Sequence, residues 1–276
     1  MKEPPSKLSR IWWCATGPLA FLPIHAAGIY GSTAETVSTL SDVVISSYTP
    51  TIRALIDRVK NPREVDGKKS GLFMISQPDT PYQSPIPGTT AEVRAIEEFM
   101  KGYKSNDNLR IHCLESAAAT VNKAIMNMER YNCIHFACHA SQNISDPLKS
   151  GFALYDGLLD LASINRKQLV GADLAFLSAC QTSTGDENLS EEAVHLAAGM
   201  LAAGYRGVVA TMWSISDEYA PGIAQEFYSS LMEGQDGLNS DQAASALHCA
   251  VQKIRKMVGD SERDLLVWVP YVHFGL

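Results

Sequence analysis

Short apolar runs alternate with amphipathic stretches along most of the chain. The runs have the length and composition of buried strands and cover residues 43–48, 72–75, 109–114, 134–140, 174–182 and 207–213. The amphipathic stretches space their apolar residues three or four positions apart, as one face of a helix does, at residues 51–60, 91–100 and 121–128 and after Asp217 and Ser240. Residues 193–203 are apolar almost all round, which predicts a buried helix. Strands that alternate with helices predict an α/β fold, with a mostly parallel sheet covered by helices on both faces.

The two ends of the chain depart from this alternation. Residues 11–30 hold two apolar arms around Gly17-Pro18, which predicts a β-hairpin. The last apolar run, residues 265–274, predicts a closing strand interrupted by a proline. These patterns predict a single domain, in which residues 1–70 form a strand extension packed on an α/β core of residues 71–276.

Two helix starts carry polar side chains that suit the position. Thr89 and Glu92 have the spacing of a capping box, which predicts that the helix over residues 91–100 opens there. Asp217 stands just before a later amphipathic stretch and has the side chain of a helix N-cap.

Two of the apolar runs end in reactive side chains. The first run stops at His139 and the second at Cys180, and each is followed by polar loop residues. If the two strands are parallel, their carboxyl ends lie at one edge of the sheet, where open α/β sheets bind their ligands. An imidazole beside a thiol supplies a cysteine nucleophile with its base, and the backbone amides of Ala140 and Cys180 are candidate donors to an oxyanion.

Two other interpretations of these residues have to be weighed. A cysteine at the end of a buried strand is more often a small core residue than a nucleophile, but the polar loop that begins at Gln181 favours the sheet edge for Cys180. A zinc site would need ligands from Cys133, His135, Cys138 and His139. Those residues lie on one extended strand and point in opposite directions, so no metal site is predicted.

Composition narrows the functional class. The chain has 276 residues, of which 46% are apolar and 19% charged, as in ordinary globular proteins with a large core. A net charge of −7 and a pI near 5.5 argue against a nucleic-acid partner, and no apolar run is long enough to predict a membrane span. Six cysteines, four of them in core-like runs, predict reduced thiols in a cytoplasmic protein.

Several motifs in a fixed order resemble a known family. They are His-Phe-Ala-Cys-His-Ala at 135–140, Ser-Gly-Phe-Ala-Leu at 150–154, Leu-Ser-Ala-Cys-Gln-Thr at 177–182, and the stretches 22–28, 192–199, 204–213 and 268–275. The chain resembles a CHAT domain (caspase HetF-associated with tetratricopeptide repeats), of the caspase–separase group of cysteine peptidases, clan CD. Residues 10–13 resemble the fungal members, in which the domain commonly ends a long repeat protein.

The resemblance implies a caspase-like fold with His139 and Cys180 as the catalytic pair, and no cofactor. Clan members often have glycine after the histidine, and this chain has Ala140. The implied function is a cysteine endopeptidase that cleaves specific proteins in a signalling or cell-death-like pathway. The alternative is an inactive CHAT module that serves as an interaction or scaffold domain of a larger repeat protein. A small-molecule hydrolase would want a Gly-x-Ser-x-Gly elbow, which the sequence lacks.

In relatives of this clan, part of the specificity pocket follows the strand after the nucleophile strand. The matching stretch here is residues 213–218, so Asp217 or Glu218 is expected to line the pocket and to favour a Lys or Arg before the scissile bond. The alternative is that Asp217 only caps the next helix. A protein or peptide substrate would bind as an extended strand along the sheet edge. The loops 141–149 and 181–189 border the site and are expected to rearrange on activation.

Overall fold

A mostly parallel sheet runs through the computed structural model, which describes residues 8–30, 38–60, 71–103, 109–143, 145–167, 169–181, 192–234 and 237–276. Its strands are β1 (Ser9–Trp13), β2 (Gly28–Ile29), β3 (Ser38–Thr39), β4 (Val44–Tyr48), β5 (Gly71–Ser76), β6 (Arg110–Glu115), β7 (Cys133–Ser141), β8 (Gly151–Leu154), β9 (Gly157–Asp160), β10 (Leu174–Gln181), β11 (Gly207–Thr211) and β12 (Tyr271–Gly275), of which β2 and β3 form a separate pair. The helices are α1 (Ile52–Lys60), α2 (Gly88–Gly102), α3 (Val121–Met128), α4 (Leu161–Asn165), α5 (Glu192–Ala203), α6 (Ala220–Met232), α7 (Ala243–Val258) and α8 (Glu262–Trp268).

The strand order explains how the sheet is covered. From edge to edge it is β1–β4–β12–β11–β10–β7–β5–β6, with β8 paired to the end of β7 and β9 paired to β8. Neighbours along the edge-to-edge path are parallel except β11 and β12. Helices α3, α4 and α5 bury side chains against one face, and α2, α6, α7 and α8 against the other. The predicted fold class, a mostly parallel sheet with helices on both faces, is confirmed.

The two central strands are apolar along nearly their whole length because both of their faces are covered. In β7, Ile134 and Phe136 join the core on the α3–α5 side, while Cys133 and Ala137 join the core on the α2–α6 side. Side chains of a strand alternate between faces, so a strand buried on both sides needs an unbroken apolar run. The polar side chains inside these strands, His135 and Ser178, have partners within the fold, whereas those at the strand ends reach the edge of the sheet.

The predicted hairpin over residues 11–30 is wrong. Gly17–Phe21 forms a turn of 3₁₀-helix instead of a tight β-turn, and β1 pairs in parallel with β4, residue 9 opposite residue 44. The pairing is held by side chains far apart in sequence: the Trp13 indole donates to Ser46 Oγ at 3.0 Å. A local apolar pattern carries no information about such a partner. The strand extension itself is present, because β1 and β4 continue the central sheet.

The predicted closing strand over residues 265–274 is also wrong in its first half. Residues 262–268 form α8, and only β12 is a strand. Ser261 accepts a hydrogen bond from the Asp264 amide and donates its own amide to the Asp264 side chain, a capping box that starts the helix. The sequence pattern there is short, and an apolar run of this length fits a strand or a buried helix equally well.

A hairpin that the sequence analysis treated as loop lies beside β7. Strands β8 and β9 pair antiparallel through the two-residue turn at Tyr155-Asp156, and β8 also pairs antiparallel with the end of β7. A Cβ added to Gly151 would lie 2.2 Å from the Leu159 carbonyl oxygen, so this close strand contact requires glycine.

Candidate active site

His139 and Cys180 occupy matching positions on neighbouring strands. Strands β7 and β10 are parallel and adjacent, and their register pairs residue 139 with residue 180. Paired positions of parallel strands belong to the same face of the sheet, and each of these two is followed by two or fewer residues before its strand ends. The expected meeting of the two strand ends at one edge is therefore confirmed. The side chain of Cys180 lies outside the described residues.

The imidazole of His139 is fixed on one side. Its Nε2 lies 2.7 Å from the carbonyl oxygen of Ser84, and the ring is fully buried. A carbonyl oxygen only accepts, so Nε2 must carry the proton and Nδ1 is the basic nitrogen. Among the described residues, Nδ1 has no hydrogen-bond partner. The ring is thus held in the tautomer that leaves one nitrogen able to take a proton.

The orienting carbonyl belongs to the proline-rich loop of residues 78–88, which passes over the end of the sheet. The loop is closed on itself, because the Ile86 amide donates to the Pro78 carbonyl at 2.9 Å. Its start is tied to β7, where the Gln77 amide donates to the Ala137 carbonyl at 2.9 Å. Sequence analysis found no third group for the imidazole. Every residue has a backbone carbonyl, so the residue type at position 84 does not reveal this role.

Asp217 lies at the other end of this loop. The Gly88 amide, at the first residue of α2, is 3.4 Å from Asp217 Oδ2. A Cβ at position 88 would come within 2.9 Å of the Asp217 carboxyl carbon, so the approach depends on glycine. Helix α6 begins at Ala220, its N-cap residue is Tyr219, and no side chain caps it. The alternative in which Asp217 caps that helix is therefore wrong.

Glu218 follows Asp217 on the same exposed stretch, and its amide lies 3.3 Å from Ser216 Oγ. Both carboxylates are exposed. The structure brings Asp217 to the loop that carries Ser84, whereas it shows Glu218 only as its neighbour in the chain. Their roles in a specificity pocket stay predictions.

A buried polar cluster lies on the same sheet face, further from the edge. Glu92 Oε2 accepts a hydrogen bond from Ser178 Oγ at 2.9 Å, and Glu92 Oε1 lies 3.1 Å from His135 Nε2. His135 Nδ1 is 3.2 Å from the Tyr228 hydroxyl, and burial raises the pKa of Tyr228 well above its usual value. The predicted capping box is wrong, because Glu92 points to the sheet and not to its own helix start. The cluster ties α2 and α6 to the two strands that lead to the site.

Ala140 occupies its position without backbone strain. Its backbone φ is not positive, and its side chain packs in the core on the α3–α5 side. Alanine is therefore compatible with the backbone at this position, although clan members often have glycine there. The oxyanion role of the Ala140 and Cys180 amides stays a prediction.

Three of the other thiols that the structure describes are poor nucleophiles. Burial raises the pKa of Cys113 to about 12, and Glu97 and Glu115 act in the same direction. Burial, with Asp173 next, raises the pKa of Cys133 well above its usual value, and burial also raises that of Cys249. A thiol reacts as its thiolate, so these cysteines stay protonated at neutral pH.

Metal clusters and membrane-spanning helices are both missing from the described part of the chain. No group of three or more His, Cys, Asp or Glu side chains there could hold a metal ion. No helix of that part is long and apolar enough to cross a bilayer.

With this geometry in view, the family can be assigned. The family model of the CHAT domain matches residues 1–276. The chain belongs to the CHAT family. No curated protein sequence matches it.

Solved structures similar to this CHAT chain include two cysteine peptidases. Gingipain R (RgpB) of Porphyromonas gingivalis, described as an Arg-specific cysteine proteinase, aligns with a TM-score of 0.52 and 14% identity over 84% of this chain and 54% of its own. Separase of Saccharomyces cerevisiae, in its complex with securin, aligns with a TM-score of 0.55 and 14% identity over 88% of this chain and 14% of its own. The CHAT chain thus spans about half of the gingipain chain and a seventh of the separase chain. At such identities the likeness shows the fold, which is caspase-like as predicted.

Proposed function

We propose that this CHAT chain is a cysteine endopeptidase in which Cys180 is the nucleophile and His139 its base. The observation that carries the proposal is the state of the His139 ring. Its Nε2 is bound by the Ser84 carbonyl, its Nδ1 has no partner among the described residues, and residue 180 is its register partner. A ring held in this tautomer at the end of a strand can serve as base to the residue paired with it on the next strand.

The proposed reaction uses that nitrogen twice. Nδ1 takes the proton of the Cys180 thiol, whose ordinary pKa is about 8.5, and the thiolate attacks the carbonyl carbon of the scissile bond. The amides of Ala140 and Cys180 stabilise the oxyanion. As the C–N bond breaks, the imidazolium gives its proton to the leaving amine. Water then attacks the thioester and Nδ1 takes a proton from it; as the C–S bond breaks, the carboxylic acid is released and the imidazolium returns that proton to the Cys180 thiolate.

The Ser84 carbonyl supports this cycle by stabilising the charged ring. When Nδ1 is protonated, the Nε2–H bond to the carbonyl becomes a charge-assisted hydrogen bond, which is stronger than the neutral one. The same bond prevents the ring from turning away from residue 180. The carbonyl thereby does for His139 what a carboxylate does in a three-residue catalytic set.

We further propose that Asp217, with Glu218 beside it, favours Lys or Arg as the residue before the scissile bond. Asp217 touches the loop that holds His139, so a substrate that reaches the imidazole passes near this carboxylate. The protein partner would be such a substrate, bound as an extended strand. The sequence resemblance supports regulation by an upstream repeat or sensor region, a fungal-type origin and a role in a signalling or cell-death-like pathway, and the predicted reduced thiols support a cytoplasmic location.

The decisive experiment labels thiols with an electrophilic peptide probe and locates each adduct by mass spectrometry. Cys180 should be labelled at least about tenfold faster than any other cysteine, and His139→Ala should remove this advantage. Cys113 and Cys249 serve as internal controls, because their raised pKa values predict slow labelling that His139→Ala leaves unchanged. If Cys180 reacts no faster than they do in both proteins, the peptidase is refuted and the scaffold module is favoured.

A further inference from the structure

A cleft of about 410 Å³ opens beside His139. Its walls are residues 80–83 of the loop, Ser141 at the end of β7, and residues 153–158 of the β8–β9 hairpin. Residue 83 directly precedes Ser84, whose carbonyl binds the imidazole. The cleft is therefore continuous with the candidate site, and nothing in the proposed reaction has yet used it.

The strand register decides on which side of the imidazole the cleft lies. His139 is paired with residue 180 of β10 on one side and with Ala153 of β8 on the other. Ala153 lines the cleft. The order across the sheet edge is therefore nucleophile position, imidazole, cleft.

This order matches the direction in which a substrate leaves. The imidazole must protonate the leaving amine, so the departing segment crosses β7 and continues toward β8. Neighbouring strands are about 4.8 Å apart, which puts β8 about 10 Å from β10, and an extended chain covers that distance in about three residues. A residue shortly after the scissile bond then reaches the cleft.

The lining indicates which side chain would fit. Tyr82 is fully exposed in a left-handed backbone conformation with φ of 67°, which is unusual for a residue of its size. Tyr155 and Leu158 are exposed by 47% and 40% on the opposite wall. Asp156 is the only carboxylate or basic side chain among the lining residues, and it accepts a hydrogen bond from the Val121 amide at 2.8 Å. The uncharged polar side chains of Thr80, Gln83 and Ser141 also line the cleft. Two tyrosines and a leucine beside a single carboxylate favour a large apolar or aromatic side chain and disfavour an acidic one.

We propose that this cleft binds a large apolar or aromatic residue of the substrate within three positions after the scissile bond. The proposal rests on the proposed peptidase function and adds to it a preference on the departing side of the bond. Together with a basic residue before the bond, it defines the substrate class: an extended peptide with a basic and then an apolar side chain on either side of the cleavage point.

The test records both sides of each cleavage in one experiment. The chain is incubated with a peptide library prepared from a digested proteome, and the cleaved bonds are identified by mass spectrometry. One of the three positions after the bond should be enriched in Leu, Phe, Tyr or Trp and depleted in Asp and Glu. In Leu158→Ala this enrichment should fall, while the preference before the bond stays the same.

Two substrates made from the best cleaved peptide isolate the cleft. The first is an internally quenched peptide with the apolar residue after the bond, and the second is a coumarylamide that ends at the bond. Leu158→Ala should lower kcat/KM about tenfold for the first and leave it unchanged for the second. Leu266→Ala, a matched control at a leucine exposed by 59% outside the cleft, should change neither.

The outcomes separate the two proposals. Cleavage without any preference after the bond, or an equal loss on both substrates in Leu158→Ala, would overturn the assignment of the cleft and leave the peptidase standing. No cleavage of any peptide by the wild type would overturn the peptidase and the cleft assignment with it.

Discussion

The sheet edge of the candidate active site and the N-terminal part of the sheet both bury a histidine, but they bond it differently. His25 is bonded through both nitrogens: Nδ1 is 2.8 Å from the Tyr48 hydroxyl, and Nε2 is 2.9 Å from the Val269 carbonyl. His139 is bonded through Nε2 alone among the described residues. A histidine with both nitrogens bonded joins three segments of chain. A histidine with one nitrogen bonded keeps its orientation and leaves the other nitrogen available to a further partner.

Burial of the histidines in the N-terminal part of the sheet also has an electrostatic consequence. Desolvation lowers the pKa of His25 to about 4, and the hydrogen bond to the Val269 carbonyl only partly offsets it. His273, in the same region, shows the same direction, because burial and then Arg10 and Arg58 lower its pKa. These histidines stay neutral at physiological pH and serve the fold. The comparison teaches that His25 and His139, both buried, differ in their second nitrogen: His25 uses it to join segments of the fold, and His139 leaves it unbonded among the described residues.

The largest expected effect comes from replacing each of the two histidines by alanine in turn. His139→Ala should lower kcat/KM about a thousandfold, because the thiol loses its base and the leaving amine its acid. His25→Ala should leave kcat/KM within about threefold while lowering the unfolding midpoint, because two buried polar groups lose their partner. Both variants are measured for peptide cleavage and urea unfolding. Equal activity losses would remove the distinction between the two histidines.

The next effect concerns the pH dependence of stability. In the unfolded chain His25 binds a proton below its ordinary pKa of 6.5, whereas in the folded chain it stays neutral down to about 4. The unfolded state therefore binds more protons between these values, and stability falls as the pH is lowered through this window. About 2 kcal/mol of the free energy of unfolding should be lost between pH 7 and pH 5.

A variant isolates this contribution from that of other groups. His25→Gln cannot titrate, so the stability difference between wild type and variant should shrink by about 2 kcal/mol between pH 7 and pH 5 in urea unfolding. A difference that stays constant with pH would show that the His25 ring is accessible to protons in the folded state.

The smallest expected effect comes from replacing one of two carboxylates, Asp217 or Asp42, by asparagine. Asp217→Asn should lower kcat/KM for peptides with Lys or Arg before the bond about tenfold relative to other peptides, with little change in stability. The matched control is Asp42→Asn in the N-terminal region, where Asp42 Oδ1 lies 2.8 Å from the buried Arg255 guanidinium. That change should lower stability by about 1 kcal/mol and leave the preference intact. A preference unaltered by Asp217→Asn would assign the basic specificity elsewhere.

The sequence predicted what local patterns determine. The runs that became β5, β7 and β10 are apolar because both faces are covered, and this property is visible residue by residue. The positions of His139 and Cys180 at neighbouring strand ends followed from the same runs. Their chemical roles came from the family resemblance and stay proposals.

What sequence analysis missed depends on partners far along the chain. Glu92 looks like a capping residue until Ser178, 86 positions away, is seen to bind it. The arms of residues 11–30 resemble a hairpin because the true partner of β1 is a strand about 35 residues further on. Such contacts are set by the packing of the whole domain, which overrides local preference.

The hydrogen bond between His139 and the Ser84 carbonyl has a consequence for the evolution of this site. A main-chain oxygen is present whatever side chain stands at position 84, so this orienting group survives any substitution that keeps the path of the loop. In an alanine scan, the substitution at position 84 would leave the orientation of the His139 ring unchanged. Related chains can therefore change the side chain at position 84 and keep the same orientation of the imidazole, while a one-residue deletion in the loop would abolish it.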